Sequence, residues 1–213
     1  GAENLRSFSP RIEIAMRSTM LLTPPNALTL LRLLLAPIIG ALLVLVAVGM
    51  MPGAAGVPVA LALFAVACMS DIFDGVLARQ LNQESTLGAV LDPIADKLLM
   101  LCAGIGLMVL VPSPWAIAPI TLMLARDLLV GGLREAALAQ NWRLPVRGLG
   151  KFKTVVQCLA IAIALADLSF TVLGLRPAPV TLVSPLLIGP LWAAAAVSWL
   201  SAVDYMRIFF NRP

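Results

Sequence analysis

The sequence predicts an all-α, polytopic membrane protein: six transmembrane helices preceded by an N-terminal amphipathic helix lying in the membrane interface. Three observations carry this. The 213-residue chain is 61% hydrophobic with a mean hydropathy of +0.99, more apolar surface than one soluble domain hides. Apolar runs of about 20 residues, the length that spans a bilayer's hydrocarbon core, recur six times, at 26–48, 58–81, 88–110, 115–139, 149–168 and 181–206. Charged residues, only 12% of the chain, collect between alternate runs.

Taken in order, Leu5, Phe8, Ile12 and Met16 fall on one side of a helical wheel, with Arg6, Glu13 and Arg17 on the other. That amphipathic pattern places residues 1–23 on the membrane surface. Pro24, Pro25 and Asn26 then end this segment and open the first span, prolines being tolerated in a first helical turn and Asn being a good N-cap. Asn26, Thr29 and Arg32 recur at three-residue spacing and so share one side of that helix's start. Two readings stay open for them: a cap with an Arg snorkelling to the headgroups, or a polar face turned toward a site. The second span ends in an acidic stretch and the third begins with another. The fourth to sixth spans follow without a linker long enough to divide the chain, so residues 24–213 form one transmembrane domain.

Lys and Arg concentrate in cytoplasmic segments. Here they precede the first span (Arg6, Arg11, Arg17), join the second to the third (Arg79), surround the fourth-to-fifth connection (Arg134, Arg143, Arg147, Lys151, Lys153) and follow the sixth (Arg207, Arg212). The opposite connections hold only Arg176. Both termini and the acidic stretches are therefore expected at the cytoplasmic face. The net charge of +4 follows this topology and is not interleaved with exposed aromatics, so the expected neighbour is the lipid bilayer and not nucleic acid. Cys68, Cys102 and Cys158 lie within apolar spans without metal-ligand spacing and read as small core residues. The absence of histidine excludes Ser-His-Asp triads and His-ligated zinc, leaving carboxylates and amines to carry any chemistry.

Four carboxylates stand where the bilayer selects against them. Asp71 and Asp74 are three residues apart and Asp92 and Asp96 four apart, so each pair occupies one face of its helix. The polar connection at 80–87 is short, which predicts that the two helices are antiparallel neighbours whose acidic faces meet. Four converging carboxylates repel unless cations that favour hard oxygen ligands, of the Mg²⁺ type, lie among them. Two such ions clamp the attacking and leaving oxygens of a phosphoryl transfer. Gly75, Ala78 and Gly88 keep side-chain bulk away from the acids, and Arg79 brings a planar cation suited to phosphate. A cation or proton pathway also uses intramembrane acids and is the non-enzymatic alternative.

The whole run, Asp71-x2-Asp74-Gly75-x2-Ala78-Arg79-x8-Gly88-x3-Asp92-x3-Asp96, resembles the signature of the CDP-alcohol phosphotransferase family of membrane phospholipid synthases. The resemblance implies a homodimer in which an acceptor hydroxyl attacks the phosphorus of a CDP-linked donor and releases CMP. It implies that Asp71, Asp74, Asp92 and Asp96 hold Mg²⁺ or Mn²⁺, two ions, and that Asp96 is also the catalytic base. It further implies that Gly75, Ala78, Arg79, Ser85 and Gly88 accommodate the donor nucleotide, with Asn26 and Thr29 near its pyrophosphate. Ala125-Arg126-Asp127, Leu133-Arg134-Glu135 and Gly150-Lys151-Phe152-Lys153-Thr154 look like the phosphatidylglycerophosphate synthase branch. That likeness implies CDP-diacylglycerol and sn-glycerol 3-phosphate as substrates, with the acceptor phosphate bound by Arg126, Arg134, Lys151, Lys153 and Thr154. The clustering of these bases suits a dianionic phosphate, which an uncharged acceptor would not need. Phosphatidylglycerol and inositol 1-phosphate are the alternative acceptors.

Overall fold

The computed structural model describes residues 24–81, 86–140, 142, 148–175 and 184–211, with the backbone alone at 24–26, 71–81, 86–90 and 148–151. The expected N-terminal interfacial helix, residues 1–23, lies outside the described residues. Among the described residues there are six helices: α1 (Pro24–Ala47), α2 (Gly53–Leu81), α3 (Thr86–Leu110), α4 (Pro114–Ala139), α5 (Gly148–Val172) and α6 (Pro185–Phe210). Each contains a stretch long and apolar enough to cross a membrane. The protein is thus a polytopic, all-helical membrane protein.

Local chemistry corrects several of the expected span ends. The α2 helix begins at Gly53, not 58, because the carbonyl of Pro52 already accepts from the amides of Ala55 and Gly56 at 3.1 and 3.0 Å. The α6 helix starts at Pro185, not 181: Ser184 caps it by accepting from the Leu186 amide, and Pro185 fills the first position, where a missing N–H costs nothing. The α5 helix runs on to Val172. Both α1 and α5 end in the same way, with a glycine in the left-handed region, Gly49 at φ 77° and Gly174 at φ 70°. The amides of Met50 and Leu175 bond back to the carbonyls of Leu45 and Phe170, closing these last turns.

The α1 helix organises one half of the bundle, packing extensively on both α2 and α3. Gly40 and Gly106 make this possible. A Cβ on Gly106 would meet Leu43 Cβ at 2.9 Å and the Gly40 carbonyl at 3.2 Å, so the α1 and α3 backbones nearly touch. Among the described residues α2 and α3 touch sparingly, since each spends its apolar face on α1; the acidic faces expected to meet include Asp71 and Asp74, whose side chains lie outside the described residues. The other half is built from α5 and α4 around α6, and joins the first through α2 and α5. Phe64, Ile39, Leu43, Leu107, Ile120, Ile161 and Leu191 fill the common core. Leu34, Leu128 and Leu200 point outward, as suits a chain whose solvent is lipid. The three cysteines are half-buried against the core. Gly104 abuts Ile120 and Gly131 abuts Lys97, while Gly132 faces open space.

Because α3 meets α4 and α5 only lightly, a gap remains between the two halves. It opens at the end of the bundle formed by the starts of α1, α3 and α5 and the ends of α2, α4 and α6.

Candidate active site

The acidic side of the site is built on α3. Asp92 and Asp96 lie one turn apart, and α1 supplies their partners. Thr29 Oγ1 donates to Asp92 Oδ1 at 2.5 Å, Arg32 Nη1 to Asp96 Oδ1 at 2.5 Å, and Arg32 Nη2 reaches Asp92 Oδ1 at 3.4 Å. The side chain of Arg32 is 0% exposed while those of Asp92 and Asp96 are 47% and 39% exposed. The polar face of α1 therefore turns inward, and Arg32 does not snorkel. A buried guanidinium needs opposite charge, and one planar fork serving two carboxylates fixes their spacing while leaving both open to the site.

Asp71, Asp74, Gly75, Ala78 and Arg79 fall on the last turns of α2, and Gly88 on the first turn of α3, at this same end of the bundle. Their side chains, with those of Asn26 and Lys151, lie outside the described residues, and so does the whole of Ser85. Among the described residues no three carboxylate, thiol or imidazole groups gather.

Facing Asp96 across a cavity of about 340 Å³ is a basic wall. Arg134 and Arg126 come from α4, Lys153 and Thr154 from α5, and Lys97 from α3 itself. Arg126 is 4% exposed and tied to α6: Nε donates to the Ser198 carbonyl at 3.0 Å and Nη2 to Ser201 Oγ at 2.5 Å. Its Nη1 meets Asp127 at 3.1 Å, and Asp127 also pairs with Lys153. Arg134 donates to the Tyr205 hydroxyl at 3.1 Å and lies 5.3 Å from the centre of that ring, which also faces Arg126 at 6.0 Å. Tyr205 thus holds two guanidinium groups side by side, by cation–π attraction and one hydrogen bond. The cavity is lined by four cations, Lys97, Arg126, Arg134 and Lys153, against three acids, Asp96, Asp127 and Glu135. The surplus charge suits an anion, and the buried Arg126 cannot relax away from it.

The structure brings Asp96, Arg126, Arg134, Lys153 and Thr154 into one cavity, and sets Asp92 and Thr29 beside Asp96. Sequence reasoning overlooked the support beneath them. Ser198, Ser201 and Tyr205 recur at helical spacing along an otherwise apolar span, and that polar stripe was the available signal. Lys97 was overlooked as a lining residue because its seat depends on Gly131: a Cβ there would stand 2.8 Å from Lys97 Nζ.

A family model for CDP-alcohol phosphatidyltransferase matches residues 22–203. The chain belongs to that family. The CDP-diacylglycerol–glycerol-3-phosphate 3-phosphatidyltransferase of Cereibacter sphaeroides is 44% identical over 144 residues, 65% of this chain and 61% of that protein's length. Its counterpart from Salmonella choleraesuis is 40% identical over 65% of this chain and 74% of its own. The CDP-diacylglycerol–glycerol-3-phosphate 3-phosphatidyltransferase 2 of Arabidopsis thaliana is 33% identical over 95% of this chain and 86% of its own. Among solved structures, phosphatidylinositol phosphate synthase of Mycobacterium tuberculosis with CDP-DAG bound shares the fold at a TM-score of 0.57 and 16% identity, covering 94% of both chains. The same enzyme in complex with manganese and citrate also scores 0.57, at 17% identity, over 96% of this chain and 89% of that one.

Proposed function

We propose that this family member transfers the phosphatidyl group of CDP-diacylglycerol to sn-glycerol 3-phosphate, giving phosphatidylglycerophosphate and CMP. One observation carries the reading: the Asp96 carboxylate opens onto the same cavity as Arg126, Arg134 and Lys153. A base and a phosphate-binding wall within one cavity suit an acceptor that bears both a hydroxyl and a phosphate. The names of the relatives support the same acceptor.

In this reading Arg126, Arg134, Lys153 and Thr154, with Lys151, bind the acceptor phosphate. Asp96 takes the proton of the primary hydroxyl as its oxygen bonds to the phosphatidyl phosphorus and the bond from phosphorus to the CMP oxygen breaks. Asn26, Thr29, Gly75, Ala78, Arg79, Ser85 and Gly88 hold the donor. Asp71, Asp74, Asp92 and Asp96 are hard oxygen ligands suited to Mg²⁺ or Mn²⁺, and the half-exposed carboxyls of Asp92 and Asp96 fit such a role. Two bound ions would supply charge neutralisation at the pyrophosphate. In this reading the site lies at the cytoplasmic face of the inner membrane, within reach of water-soluble acceptor, and the basic residues at these helix ends support that orientation.

The test is CMP release by the purified chain with CDP-diacylglycerol and Mg²⁺, adding sn-glycerol 3-phosphate, inositol 1-phosphate or phosphatidylglycerol separately. Turnover with glycerol 3-phosphate alone is expected. Turnover only with another acceptor would overturn the choice of acceptor, and none with any would overturn the enzymatic reading.

A further inference from the structure

Gln157 lines the cavity, is 1% exposed, and follows Lys153 by four residues on the same face of α5. Its Nε2 donates to Ser198 Oγ at 3.0 Å. Ser198 belongs to the α6 turn that anchors Arg126, for its carbonyl accepts from both Arg126 Nε and Ser201 Oγ. The amide is thereby pinned to the arginine's own support. Its Oε1, in contrast, is buried without a hydrogen-bond partner. A methionine or leucine would fill this volume without burying an unsatisfied oxygen, which folding otherwise selects against.

The missing partner has to be a donor, and the chemistry of the site narrows the choice. A phosphate dianion offers only acceptors, so it belongs to the arginines and Lys153. The primary hydroxyl gives its proton to Asp96. Glycerol 3-phosphate has one further donor, the hydroxyl on its middle carbon, which sits between the phosphate and the reacting oxygen. We infer that Gln157 Oε1 accepts a hydrogen bond from this secondary hydroxyl, making Gln157 a specificity-determining residue for an acceptor hydroxylated beside its reacting carbon. The inference rests on the function proposed above.

The experiment compares kcat/KM for sn-glycerol 3-phosphate and for 3-hydroxypropyl phosphate, which lacks only the middle hydroxyl, in the full chain and in Gln157→Met. The unaltered protein is expected to prefer glycerol 3-phosphate by at least about tenfold, since a site built to bond a hydroxyl rejects the analogue without it. Gln157→Met is expected to bring the ratio near one by depressing glycerol 3-phosphate alone. Equal losses for both acceptors would overturn the inference and assign the amide, turned over, to the phosphate. If Gln157→Met does not fold, the unaltered protein still decides: equal use of the two acceptors overturns the assignment. Turnover with neither acceptor would instead overturn the function on which it rests.

Discussion

Replacing Arg126 with alanine removes the most deeply buried cation facing the cavity. The substitution gives up the bonds to the Ser198 carbonyl and Ser201 Oγ, but Ser201 keeps its own bond to that carbonyl at 2.9 Å, and Asp127 keeps Lys153. The bundle therefore has local substitutes for what Arg126 satisfies, while a bound phosphate has none at that point. A charge-assisted hydrogen bond contributes about 2 kcal/mol, which at about 1.4 kcal/mol per tenfold corresponds to an acceptor KM about 30-fold higher. The donor groups are assigned to α1, α2 and the start of α3, on the opposite wall, so the apparent KM for CDP-diacylglycerol should change less than about twofold, as for a contact that does not touch it. Steady-state CMP release, varying each substrate at saturation of the other, measures both. A donor KM that rises as much as the acceptor KM, or an acceptor KM that stays put, would refute the placement of Arg126 in the acceptor site.

Asp96→Asn should keep Mn²⁺ binding, followed by calorimetry, within about tenfold while lowering kcat by at least about 100-fold, the usual contribution of a general base. Comparable turnover in the two proteins would refute the base assignment. Tyr205→Phe retains the ring beside both arginines but loses the hydroxyl that orients Arg134; an acceptor KM raised about tenfold, for one charge-assisted hydrogen bond of about 1.5 kcal/mol, with unchanged thermal stability is the expected outcome of paired kinetics and melting. Gly106→Ala drives a methyl into Leu43 and the Gly40 carbonyl. It should destabilise the α1–α3 pair by about 1–3 kcal/mol, visible as a lower melting temperature in detergent, and an unchanged value would show that these helices have room to part.

The spans were legible because bilayer insertion demands about 20 apolar residues in a row, a requirement written directly in composition. Their ends were less so. Where α2 and α6 start depends on which carbonyl or hydroxyl captures the first free amides, here Pro52 and Ser184. The acids and bases of the site were legible by their rarity in such spans. The residues that hold them in place were not, because Ser198, Ser201 and Tyr205 are uncharged and acquire meaning only against Arg126 and Arg134.

The sequence by itself determined the membrane class, the six spans, the acidic signature and the family it implies, since each of these is a property of residue type and local spacing. Only the tertiary structure decided that α1 separates much of α2 from α3, because the near-contact of Gly40 and Gly106 is a relation between backbones 66 positions apart. It also decided that Arg32 turns inward to Asp92 and Asp96, and that Gln157, a residue lining the cavity, holds a buried oxygen without a partner. Spacing shows which face of a helix a side chain occupies, but what that face meets depends on how the helices assemble.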